Sequence, residues 1–172
     1  FLMIALVPWR WERIISFIDP WSNPWSSGYQ LTLSLMSIGR GDWFGVGLGE
    51  GIMKMGYLPD AHTDFIFSVI VEETGIMGGL LIVALLFGLS FRIFFIGRES
   101  LIRKNFFGFY YSYGVALLLG LHTFINVGVA CGLLPTKGLT LPLISYGGTH
   151  LLIVCLMVGL VLGVDYENKN SM

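Results

Sequence analysis

Three long, mainly apolar stretches decide what this chain can become: Ile76 to Leu89, Tyr113 to Val129 and Leu151 to Val164. With their flanks they approach the roughly 20 residues a helix needs to cross a hydrocarbon core. Of all residues 55% are apolar and only 12% charged, and the mean hydropathy is +0.76; a soluble domain carries about a quarter charged residues. Buried soluble helices are therefore a poor alternative. The sequence reads as an all-α integral membrane protein, a partial polytopic helix bundle with one long extracytoplasmic loop that contains a short interfacial helix. The net charge of −1 argues against a nucleic-acid partner. Cys131 and Cys155 have no metal-ligand spacing.

Read as one partial membrane domain over 1–172, the chain divides as follows. Residues 1–7, apolar and without an initiator methionine or a basic leader, read as the end of a spanning helix whose predecessors lie elsewhere. Residues 8–62 form the extracytoplasmic loop. All five tryptophans fall there, at Trp9, Trp11, Trp21, Trp25 and Trp43, as suits a segment lying at the headgroup layer. Spans are expected over 63–96, 106–128 and 148–164. The connection 97–105 contains Arg98, Arg103 and Lys104, with Arg92 just before it; short basic connections face the cytoplasm, which turns the other loops outward. A polar tail, 165–172, ends the chain on the cytoplasmic side.

Within the outer loop, Tyr29 to Ile38 carries apolar residues three and four apart, with Gln30, Thr32, Ser34 and Ser37 supplying a polar side. The glycine-rich run Gly39 to Gly51 follows. It has no Walker lysine and no preceding strand, so a tight turn or a close backbone approach explains it better than a phosphate cradle. Residues 129–147 make a second outer loop, re-entrant in character: it is apolar, and Pro135 and Pro142 bar a continuous helix. Irregular backbone at that depth has to be covered by protein or line a cavity.

The acids worth chemistry are Asp64, Glu72 and Glu73. On a helix continuous from residue 63, Asp64, Ser68 and Glu72 share a face and Glu73 lies about half a turn away. Counting about 20 residues back from Arg92 puts the outer membrane boundary near Glu72, with Asp64 roughly 12 Å further out. Asp64 and Glu72 read either as functional acids or as solvated interfacial ones, and Glu73 as a group that orients neighbouring helices. His62 is open between base, ligand and interfacial residue. His122 and Asn126, four apart, suggest an interhelical polar contact, and His150 a structural role at a helix start.

The motifs Asp19-Pro20-Trp21, Gly28-Tyr29-Gln30, Ile38-Gly39-Arg40-Gly41, Leu58 to Phe67, Glu72-Glu73 and Leu134 to Gly148, in this order and over nearly the whole chain, resemble the SEDS family (shape, elongation, division and sporulation). Leu134-Pro135-Thr136-Lys137-Gly138 looks like the cell-division branch or its sporulation relative; Thr74 and Thr149-His150 depart from the family pattern. The resemblance implies a ten-span protein of the bacterial cytoplasmic (inner) membrane, acting at the division septum. It implies a peptidoglycan glycosyltransferase that polymerises lipid II on the outer face and releases undecaprenyl diphosphate. Asp64 matches the essential outer-loop aspartate and would be the catalytic base. His62, Glu72, Glu73, Arg40, Lys137, Thr136 and Ser145 are candidate substrate-binding or supporting residues. A divalent cation, Mg or Mn, is implied by the family alone, with Asp64 and Glu72 as candidate ligands. Expected partners are lipid II, the lipid-linked glycan, a class B penicillin-binding transpeptidase, other divisome membrane proteins and membrane lipids. Competing readings are a lipid II flippase, for which His122 and Asn126 would matter most, and a scaffold that activates the transpeptidase.

Overall fold

A computed structural model describes residues 17, 19–21 and 28–170; the expected span end at 1–7, and with it Trp9, Trp11 and Trp25, lie outside the described residues. Four α-helices make up the described chain, with no strand among the described residues: α1 (Tyr29–Gly41), α2 (Ile66–Ile102), α3 (Phe106–Ala130) and α4 (Gly148–Asn170), plus a 3-10 turn at Met53–Met55. The last three are long and apolar enough to cross a membrane, and only 28%, 44% and 17% of their most apolar windows is buried within the protein. Their remaining surface, including Leu81, Leu85, Phe91, Leu117 and Leu156, suits lipid or further helices. The chain is an all-α membrane protein.

The described backbone forms two compact units, one of the described residues up to 80 with 125–139 and one of 81–124 with the described residues from 140 onward. In the first, Leu58, Ala61, Phe65, Val69 and Val129 form the core, with Leu33, Met53, Ile125 and Leu134 packed on it. In the second, Ile93, Ile96, Val115, Ala116, Leu119, Val154, Val161 and Val164 interlock.

Helix α1 forms as its periodicity predicts, but its polar side turns inward. Thr32, Ser34 and Ser37 are buried while Met36 is exposed. Each hydroxyl donates to a main-chain oxygen: Thr32 to Pro20 and Gly28, Ser34 to Ala130 at 2.8 Å, Ser37 to Ser68 at 3.0 Å. Small hydroxyl side chains let backbones approach closely and satisfy one another, so this polar stripe is a packing surface.

Helix α2 begins at Ile66, not at Thr63, because residues 60–65 form turns: Asp60 adopts a left-handed φ of 55° and its carbonyl accepts from Thr63 and Phe65. Between α2 and α3 the chain reverses at Lys104 (φ 62°). There Asn105 N donates to Ser100 O and Lys104 N to Leu101 O, the paired bonds of a Schellman closure, and Asn105 Oδ1 caps α3 through Gly108 N at 3.0 Å. Helix α4 runs through the expected polar tail to Asn170. The Lys169–Asp165 pair at 2.6 Å and the buried Asn168, whose amide donates to Ser100 Oγ at 2.7 Å, give the extra turns partners.

Candidate active site

The continuous helix expected from residue 63 is interrupted in the structure. Gly75 stands at φ 75° and ψ 178°, outside helical space, between two helical pieces of α2. A break of this kind frees carbonyls below it and amides above it, and the glycine-rich segment that follows α1 supplies the missing partners. Val46 N and Gly47 N donate to the carbonyls of Glu72 (3.0 Å) and Glu73 (3.1 Å), while Ile76 N and Met77 N donate to those of Asp42 (2.9 Å) and Trp43 (3.3 Å). Side chains have no room there: a Cβ on Gly45 would strike the Glu73 carbonyl, and one on Gly75 the Trp43 carbonyl. Within the glycine run, Gly39 to Gly41 end α1, and the close backbone approach is made at Gly41, Gly45 and Gly51.

The two glutamates fasten the same segment. Glu72 is fully buried. Its Oε1 accepts from Arg40 Nη1 at 2.9 Å and Ile52 N at 3.1 Å, and its Oε2 from Met53 N and Ser37 Oγ, both at 3.3 Å. Glu73 accepts from Lys54 Nζ at 2.6 Å and Gly49 N at 3.0 Å. Arg40, Glu72 and Glu73 therefore come together, with Lys54 added, as a clamp between loop and helix. The face that Asp64 was expected to share with Ser68 and Glu72 does not exist, since Asp64 precedes the helix.

Asp64 is the acid left without such partners. Among the described residues no hydrogen bond or ion pair reaches its carboxylate. Burial, and secondly the negative charge of Asp60, push its carboxyl above the ordinary aspartate value; both effects disfavour the ionised form. Asp60 itself accepts from Gln30 Nε2 at 3.4 Å. The 134–139 segment lies against Asp64: a Cβ on Gly138 would stand 3.2 Å from Asp64 Oδ2. Thr136 and Lys137 are the neighbours of Gly138 on this segment, Lys137 exposed and Thr136 half-buried, and His62 is exposed near the start of the Asp64 turn.

Ser145 belongs to the other unit, where its hydroxyl accepts from Leu141 N at 2.7 Å and its own amide donates back to Leu141 O. It closes a turn beside Pro142. In the same unit His122 stacks on His150 of α4 with ring centroids 5.7 Å apart, an interhelical contact made by the ring faces, with His122 Nδ1 buried and without a hydrogen-bond partner among the described residues. Asn126, one turn beyond it on α3, donates its amide to Asp64 O at 2.9 Å and Leu139 O at 2.6 Å. Its spacing from His122 hinted at helix pairing; contact with two loop carbonyls has no sequence signal, because the partners are main-chain atoms distant in the chain.

The proposed cation ligands do not fit as a pair. Glu72 directs both oxygens at donors that include a guanidinium, and no group of three or more His, Cys, Asp or Glu side chains suited to a metal ion occurs among the described residues.

The chain matches the family model for the cell cycle proteins FtsW, RodA and SpoVE over residues 1–170. It is similar to the probable peptidoglycan glycosyltransferases FtsW of Aliivibrio salmonicida (50% identical over 166 residues, 96% of this chain and 42% of that one). Those of Alkalilimnicola ehrlichii (51% over 168, 98% and 42%) and Buchnera aphidicola (52% over 166, 96% and 44%) are similarly related. A solved chain, from a description of the structural coordination of polymerization and crosslinking by a peptidoglycan synthase complex, superposes with a TM-score of 0.70 at 32% identity, over 96% of this chain and 44% of that one. The chain thus spans under half the length of these relatives. With the family match extending over all but its last two residues, the chain belongs to the FtsW/RodA/SpoVE family of cell cycle proteins.

Proposed function

We propose that this chain carries the catalytic base of a peptidoglycan glycosyltransferase that polymerises lipid II at the outer face of the bacterial cytoplasmic membrane during septal wall synthesis. The observation that carries the reading is Asp64: a half-buried carboxylate with a raised pKa, unpaired while its neighbours Glu72 and Glu73 are each paired to a cation, and set against the 134–139 segment. A base held above the ordinary aspartate range accepts a proton more readily near neutral pH.

In this reading Asp64 takes the proton of the acceptor sugar hydroxyl as that oxygen bonds to the anomeric carbon of the lipid-linked donor. The bond from that carbon to the diphosphate oxygen breaks, and undecaprenyl diphosphate leaves with the electron pair. Arg40, Glu72, Glu73 and Lys54 hold the loop and the helix below the reacting acid. Divalent-cation dependence, by Mg or Mn, belongs to the proposal with ligands other than the Asp64–Glu72 pair. A class B penicillin-binding transpeptidase and other division proteins of the membrane are the proposed partners.

The test is polymerisation of lipid II by the purified full-length protein with its transpeptidase. Asp64→Asn and Asp64→Ala are expected to lower turnover by roughly a hundredfold to ten-thousandfold. Glycan strands formed at undiminished rate by both variants would overturn the assignment.

A further inference from the structure

We propose that Asn126 is a positioning residue for Asp64, clamping the turn that carries the aspartate to the 134–139 segment; the proposal rests on the polymerase reading above. Asn126 stands on α3 near its outer end and is 1% exposed. Its single amide nitrogen spends both hydrogens on two main-chain carbonyls from distant parts of the chain, Asp64 O at 2.9 Å and Leu139 O at 2.6 Å.

The geometry fixes which end of the amide faces them. Turned over, Asn126 would point its oxygen at two carbonyl oxygens, all three acceptors. In the observed orientation Oδ1 is buried without a partner, so the side chain is held by what its nitrogen does. Leu, Ala or Ser at this position would take the donor from one or both of these part-buried carbonyls. The tie is to the main chain of Asp64, which leaves the carboxylate itself open while fixing where it starts.

Asp64 lies before the first turn of α2, where no helical ladder fixes the backbone. The other strut is the 134–139 segment, whose Gly138 packs beside Oδ2 and whose main chain is held by Leu134 N to Gly128 O at one end and Leu139 N to Lys137 O at the other. Asn126 makes these two irregular segments one body against a rigid helix. A displacement of about 1 Å at a reacting group can cost on the order of a hundredfold in rate, which sets the scale of the effect.

The experiment uses the full-length protein, lipid II as substrate, and Asn126→Asp, Asn126→Gln and Asp64→Asn. Asn126→Asp keeps the shape and, ionised, loses both donors: kcat per folded molecule is expected to fall roughly 10- to 100-fold with KM little changed. The carboxylate placed against the Asp64 main chain adds a like charge to that of Asp60, so the acid limb of its pH profile is expected to move to higher pH. Asn126→Gln, which keeps the NH₂ group, recovers part of the rate. Amide hydrogen exchange, which needs no activity, is expected to quicken together in residues 60–65 and 136–139 of Asn126→Asp. A folded Asn126→Asp with wild-type kcat and an unmoved acid limb overturns the proposal, as does loss of yield alone with kcat per folded molecule intact. Full activity in Asp64→Asn would remove the polymerase base instead; exchange then decides the clamp separately, and unchanged exchange in both segments sinks it.

Discussion

At Asp64 the two causes of the raised pKa are separable. Burial acts first and the Asp60 charge second, so Asp60→Asn, which preserves the shape that meets Gln30, removes only the second. As the proposed base Asp64 would work ionised, and a raised pKa then means that activity is lost on acidification at a higher pH than for an ordinary aspartate. The acid limb of the pH–rate profile should therefore move to lower pH in Asp60→Asn, without reaching the ordinary aspartate value because burial persists. Glu72 invites the opposite experiment. Glu72→Gln keeps the volume but presents an NH₂ to main-chain amides and a guanidinium; with Glu72 buried and Arg40 38% exposed, the cost lies mainly in the unsatisfied buried amides, about 1–3 kcal/mol. A large fall in thermal stability is expected, measured on the purified protein in detergent. The sequence shows that Asp64 and Glu72 are different kinds of acid only through the resemblance; the donors that distinguish them are backbone groups at 52 and 53 and an arginine 32 positions away, which no spacing rule reaches.

At the scale of elements, helix length and type were legible and interruptions were not. The spans follow from apolar runs, whereas the break at Gly75 depends on a partner segment 30 residues earlier that supplies the missing hydrogen bonds. Glycines are common in membrane helices, so nothing local singles out Gly75 from Gly78 or Gly79. Its conformation does, since φ near +75° with ψ near 180° is essentially confined to glycine. Gly75→Ala is expected to cost at least about 1–3 kcal/mol in backbone strain, increased by the collision with the Trp43 carbonyl. Thermal unfolding of Gly75→Ala against Gly88→Ala, a helical glycine with open space at its Cβ, measures the difference; equal stabilities would contradict it. The inward polar side of α1 was misplaced by amphipathic reasoning for a related cause: serine and threonine hydroxyls pack as small groups once carbonyls of other segments receive them.

For the whole molecule, the last turns of α2 and the C-terminal end of α4 meet: Asn168 reaches Ile96 O and Ser100, and Asp165 lies 3.7 Å from Arg92. Arg92 is thereby tied to the polar end of α4 within the second unit, and the proposed topology puts the basic connection that follows on the cytoplasmic side. In cells expressing the full-length protein with Cys131 and Cys155 replaced, a cysteine at Lys137 should react with a membrane-impermeant maleimide from outside, and one at Lys104 only after permeabilisation. The reverse pattern would invert the topology and place Asp64 on the wrong face for lipid-linked polymerisation. A route for transported headgroups gains nothing from sensitivity at Asn126, because that side chain is tied to Asp64; His122, stacked on His150, is the position at which a transporter and a polymerase still differ.

The exchange of hydrogen bonds at Gly75 also changes what kind of segment residues 42–47 are. Loops ordinarily absorb insertions and deletions with little harm. This one is counted residue for residue against α2, so one amino acid added between Trp43 and Val46 puts its two pairs of bonds to α2 out of register with each other, whereas the exposed Met55 to Tyr57 bend makes no bond to α2. Length variation among related chains should therefore be tolerated at the bend and shunned in the glycine run, which is a loop in shape and a turn of helix in its bookkeeping.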